Sequence, residues 1–137
     1  MNSESFEQRQ LIQWCRTRPE LQFLFHIPNE SVGGQGWIIR NRQLGVKSGV
    51  PDLMLPIPAG DYHGLFVEMK TKGGRVSETQ KKWIDALNGL GYLAVVAYGW
   101  EDARCSSEDN TAARSPLFSI EGPLAVFIFT LSSFAII

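Results

Sequence analysis

Asp52, Glu68 and Lys70 are the residues of this chain whose types and spacing could do chemistry. Glu68 and Lys70 lie two apart in "GLFVEMKTKG", an apolar run that reads as a buried strand. Side chains at i and i+2 of a strand share a face, so the acid and the base are neighbours by construction. Burying both costs several kcal/mol unless something compensates. Asp52 follows Pro51 in "VPDLMLPIP", a second short strand with its proline at the start, where a missing N–H is tolerated. The intervening "AGDYHG" turn lets the two strands pair as a hairpin. Two carboxylates and one ammonium then converge within a few ångströms at one end of a sheet.

Two hard-oxygen donors that share a point are the minimum for a Mg²⁺ site, which keeps several waters for substrate phosphates. The ion makes water a better nucleophile and stabilises charge growing on a phosphoryl oxygen. Lys70 can orient or deprotonate that water, or neutralise the transition state. For Glu-x-Lys alone the competing reading is a surface ion pair on an edge strand, worth little. The upstream Pro-Asp pair and the basic run "KTKGGR" weigh against it.

The elements that must position these residues can be read in turn. "SESFEQRQLIQWCRT" is an amphipathic helix with Phe6, Leu11, Ile12, Trp14 and Cys15 near one face, capped by Ser3 or Ser5 and ended by Pro19. "LQFLFHI" is a strand and "PNESVGGQG" a loop. "WIIRNRQLGVKSG" fits either a short helix or a strand leading into a Gly-rich turn. "SETQKKWIDALNGLG" is the clearest helix, with a Ser77/Gln80 capping box, an apolar stripe of Trp83, Ala86, Leu87 and Leu90, and Gly91 beyond its end. "YLAVVAY" is a further strand. The order helix, strand, strand, strand, helix, strand is that of an α/β fold with a central sheet.

Composition narrows the class. The 137 residues fit one domain, and 44% hydrophobic against 20% charged residues supplies a core and excludes global disorder. A net charge of −1 excludes a protein coated in positive charge but not a local patch. Such a patch is present: Lys70, Lys72, Arg75, Lys81 and Lys82 face only Glu78 between positions 70 and 82. Cys15 and Cys105 lie far apart with no CxxC partner, and the polar N-terminus has no signal-peptide core. Both point to a reducing, cytoplasmic location. Residues 105–116 read as a polar linker, and the apolar run 124–137 is short for a membrane span, which needs about 20 residues. We expect an extra strand or docked helix there and assign it no function.

With these residues in place, "GVPDLMLP", "GLFVEMK", "GGRVSETQKKWIDAL" and "GYLAVVAYGWEDA", together with "EQRQLIQW" and "HIPNE", resemble the VRR-NUC nucleases of the PD-(D/E)XK superfamily, the small stand-alone phage and bacterial members above all. The resemblance spans roughly residues 5–104, in family order and spacing. It implies a restriction-endonuclease-like core of αβββαβ order, with a mixed sheet flanked by helices. It divides the chain into a nuclease domain at 1–104 and an atypical tail at 105–137, where such proteins instead finish with a helical stretch. It implies Mg²⁺ or Mn²⁺ as cofactor and no small-molecule cofactor. Branched DNA such as a four-way junction is the implied substrate, a homodimer the implied assembly, and the host cytoplasm the location if the protein is phage-encoded. Asp52 and Glu68 resemble the metal-binding carboxylates, with the Met69 carbonyl as backbone ligand. Lys70 resembles the catalytic lysine, and Gln80 the glutamine on the following helix. Glu7 resembles an acid of the first helix that reaches toward the metals.

Several readings stay open. Gln80 also serves the Ser77 cap, and both roles can hold. Glu4 rivals Glu7. His26 is structural, since nothing near it completes a zinc pattern. Asn29 and Glu30 could touch substrate or make a turn. Lys47, Lys72, Arg75, Lys81 and Lys82 are phosphate contacts or a solvated face, and their concentration favours phosphate contacts. A restriction-like or end-trimming nuclease and a non-catalytic DNA-binding module are the competing functions. The module has no need of the acids. A tail-anchored interaction protein is a third, resting on residues 124–137 alone.

Overall fold

Strand β3 (Leu65–Lys70) is buried along its whole length, and covering its two faces dictates the layers around it. Leu65, Val67 and Met69 pack with Leu11 and Cys15 of helix α1 (Glu4–Cys15) and with Leu21. Phe66 packs on the other side with Leu87 of helix α3 (Glu78–Gly89), against partly buried Met54, Trp83 and Ile84. Each fully buried leucine stabilises the fold by about 1.5–3 kcal/mol. The computed structural model describes residues 3–29 and 33–104. The readings of the 105–137 tail and of Glu30 lie outside them.

The sheet has the order β1-β2-β3-β4. Strand β1 (Phe25–His26) pairs antiparallel with β2 (Leu53–Leu55), and β2 pairs antiparallel with β3 as the hairpin reading expects. Strand β4 (Leu93–Tyr98) runs parallel to β3. Parallel neighbours cannot be joined by a tight turn, and α3 makes the crossover. The result is an α/β mixed sheet flanked by helices.

Helix α3 has both ends built from its sequence. Ser77 accepts from the Gln80 N–H at 3.2 Å, and the Gln80 side chain accepts from the Ser77 N–H at 2.8 Å. At the other end Tyr92 N–H donates to the Leu87 carbonyl and Gly91 N–H to that of Asn88, a Schellman closure around Gly91 at φ +85.

Of the two readings open for "WIIRNRQLGVKSG", the helix holds, as α2 (Gln35–Gln43), which buries none of its residues. Strand β1 is only two residues long, because Pro19–Leu21 turns as a short 3₁₀ helix that buries Leu21. A short helix α4 (Trp100–Ala103) follows β4. Among the described residues no helix is long and apolar enough to cross a membrane.

Gly49 ties the loop before β2 to α3. Its φ is +84, and a Cβ there would stand 2.8 Å from the Thr79 backbone carbon. Trp83 Nε1–H closes the same contact by donating to the Ser48 carbonyl at 3.2 Å. Gly49→Ala should therefore lower stability by about 2–3 kcal/mol, from the left-handed backbone and the clash together. Gly45→Ala separates the two, since Gly45 has φ +89 but nothing within 4 Å. Thermal melts of both variants check this; equal losses would show that backbone strain alone matters.

Candidate active site

The antiparallel register of β2 and β3 pairs Leu53 with Val67. One step further along the ladder Asp52 stands opposite Glu68, so their side chains share a face. Asp52 is held there by its backbone. Its carbonyl accepts from the Ile27 N–H at 2.8 Å and lies 2.9 Å from His26 Nδ1. His26 thus serves to place Asp52, in line with its structural reading. Asn29 adds a hydrogen bond from Nδ2 to the Val50 carbonyl.

The side chains meet at the end of β3. Asp52 Oδ2 accepts from the Met69 N–H at 2.8 Å. Glu68 is 1% exposed and Lys70 6%. Glu68 Oε1 accepts from Lys70 Nζ at 2.7 Å and from the Gln80 side-chain amide. Gln80 therefore caps α3 and binds the acid at once. Lys70 Nζ donates also to the Met69 carbonyl at 3.2 Å and to Glu4 Oε1 at 3.3 Å. All three ammonium protons have acceptors.

The charges do not balance. Burial pushes Glu68 up to about 7, against the pull of Lys70 and with the help of Asp52 and Glu4. Burial also raises Asp52, outweighing the Met69 N–H and the Lys70 charge. Lys70 would be lowered by burial, but Glu68 and Glu4 outweigh that and raise it. Three acids share one ammonium. The second oxygen of Glu68, Oε2, is buried with no hydrogen-bond partner. An orphaned buried acceptor costs about 1–3 kcal/mol, and a cation removes that cost.

Helix α1 carries both rival acids. Glu7, which the resemblance implies reaches toward the metals, has its Oε2 accepting from the Trp100 N–H at 2.9 Å, which ties α1 to α4. Glu4, one turn earlier, is the acid that contacts Lys70. Ser3 caps the helix, which puts Glu4 at the end lying against β3. Among the described residues no three His, Cys, Asp or Glu side chains are grouped to hold a metal ion by themselves. The donors at this end of β3 that could hold a cation are Asp52, the unpartnered Glu68 Oε2 and the Met69 carbonyl, the remainder coming from water or phosphate. Lys47, Lys72, Arg75, Lys81 and Lys82 are all exposed. Lys81 is paired with Glu78 at 2.8 Å.

This fold and site define a nuclease-type, DNA-processing domain, and comparison with known proteins gives the same class. The VRR-NUC domain model matches residues 4–101, from the first residue of α1 into α4. The chain belongs to the VRR-NUC family. A solved structure described as a VRR_NUC domain protein superposes with a TM-score of 0.64 at 31% identity, covering 73% of this chain and 80% of that one. No curated protein matches the chain.

Proposed function

We propose that the protein is a Mg²⁺- or Mn²⁺-dependent DNA endonuclease, structure-selective for branched DNA such as four-way junctions, and acting as a homodimer. The observation that carries metal dependence is the buried, unpartnered Glu68 Oε2 beside Asp52. Branched substrate and dimer rest on the family resemblance; a two-fold dimer suits a two-fold junction because two sites can cut symmetric strands.

Asp52, Glu68 and the Met69 carbonyl would hold the cation. When bound, it supplies Lewis acidity, making water more acidic and taking up charge growing on a phosphoryl oxygen. Gln80 and Lys70 hold Glu68 Oε1, which leaves Oε2 as the oxygen for the cation. Lys70 acts as a point charge: its three protons are already donated, and it has no free lone pair with which to act as a base. The half-exposed Glu4, at the longest of the three contacts, is the acceptor that a phosphate oxygen would displace. Lys72, Arg75 and Lys82 serve as backbone contacts, while Lys47 lies on the loop before β2 and the ion-paired Lys81 contributes less.

The test is incubation of purified protein with linear, flapped and four-way DNA in Mg²⁺, Mn²⁺, Ca²⁺ or chelator. Cleavage is expected with Mg²⁺ or Mn²⁺ only, and fastest on the four-way substrate. Cleavage in chelator would overturn metal dependence. Equal rates on linear duplex would replace the junction reading with an end-trimming or restriction-like one.

A further inference from the structure

Helix α1 carries a groove on its outer side that none of the residues assigned above to DNA contact enters. Its walls are Arg9, Arg16 and His26, two glutamine amides, one serine hydroxyl and a single aliphatic side chain, Ile12. No acid lines it. A second recess, by contrast, is lined by Glu7 and Glu101 as well as Lys72. Arg9 and Arg16 are seven residues apart, so they fall on one helix face about 10 Å apart. Arg9 Nε–H donates to the Ser5 carbonyl at 3.2 Å, which lays the guanidinium along the helix. Among the described residues neither arginine has a carboxylate within ion-pair distance, whereas Lys81 does. His26 also lines the groove, and its Nδ1 touches both Gln8 and the Asp52 carbonyl. One wall of the groove is thus in contact with the backbone of the candidate metal ligand.

We propose that this groove binds the phosphodiester backbone of the DNA strand flanking the cut, with Arg9 and Arg16 each meeting one phosphate. This rests on the nuclease reading above. A paired, charge-compensated lysine contributes little to the counterions released on meeting DNA; two arginines on one helix face with no carboxylate partner among the described residues contribute more. Neither reads sequence, since both face backbone and not a base edge.

The test is equilibrium binding to duplex DNA in Ca²⁺ across a salt series, using the full chain. Arg9→Gln/Arg16→Gln should reduce the slope of log K against log salt by about 1.8, at about 0.9 for each phosphate no longer neutralised. Each single variant should reduce it by about half of that, which keeps the test open if the double variant fails to fold. Arg9→Lys/Arg16→Lys should restore the slope. Arg40→Gln/Arg42→Gln carries the same charge change on α2 and should leave it nearly unchanged. An unaltered slope in the α1 double variant overturns the groove, and so does an equal fall in the α2 variant, which would mean a diffuse field. Wild-type protein that binds with the expected slope but cleaves nothing in Mg²⁺ or Mn²⁺ would overturn the nuclease reading and leave the groove standing.

Discussion

Glu68→Gln should abolish cleavage, with a loss of roughly 10³-fold or more, while DNA binding stays close to wild type. The substitution keeps the shape and a carbonyl oxygen for Lys70, but it removes the charge that would bind a divalent cation. Several kcal/mol of transition-state stabilisation go with that cation, and about 1.4 kcal/mol is tenfold in rate. Asp52→Ala should behave alike. The measurement is single-turnover cleavage in Mg²⁺ beside binding in Ca²⁺; full activity in either variant would remove the proposed site. The same acid predicts a pH effect on metal-free protein. Its folded value, about 7, lies above its ordinary 4.5. A raised carboxyl contributes stability that is fully present below the unfolded value and is lost as pH rises through the folded one. Asp52 acts in the same direction. Lys70, itself raised, contributes nothing in that window. The metal-free melting temperature should fall between about pH 4.5 and 7, and saturating Mg²⁺ should flatten the fall by stabilising the charged form. A flat metal-free profile would show that Glu68 is not strained by its surroundings.

Lys70→Ala should lower turnover by about 10²–10³-fold, the loss seen when a positioned donor at a developing charge is removed. Lys70→Arg should recover only part. Nζ sits within 3.3 Å of Glu68, Met69 and Glu4 acceptors at once. A planar guanidinium cannot reproduce that three-way geometry from the same Cα. Lys70→Ala also leaves buried Glu68 without its counter-charge, a change worth about 3–5 kcal/mol when one partner of a buried pair is removed. Melting curves must accompany the rates. An Arg variant as fast as wild type at saturating enzyme would show that charge alone matters.

How far these residues can be read without a structure depends on how local their geometry is. Glu68 and Lys70 meet because strand period guarantees it. Asp52 joins them because a hairpin register sets opposite residues on one face, and that register follows from burying Leu53 and Leu55. Gln80 is legible as a cap, since capping is a four-residue event, and its second bond comes with the helix position. Helix α2 is legible only as one of two alternatives, because none of its residues is buried and no apolar face stands out. Glu7 and Glu4 differ by about one turn, and only the docking of α1 on β3 and α4 decides which acid meets Lys70. The charge of the 70–82 segment can be counted, but which cations are already paired cannot. Arg9 and Arg16 are hidden for the opposite reason: seven residues apart, they look dispersed in the chain and are neighbours only on a helix.

The double duty of Gln80 couples the first turn of α3 to the site. A capping box accepts glutamate as readily as glutamine at this position, yet here glutamate would bring a further carboxylate against Glu68 Oε1. The choice of glutamine over glutamate is thus set by the neighbouring Glu68 and not by the helix. It also means that fraying of a single helical turn, among the least costly of native-state openings, releases the buried acid from its amide. Activity should then fall on warming before the core melts, which rates measured across the foot of the melting curve would check.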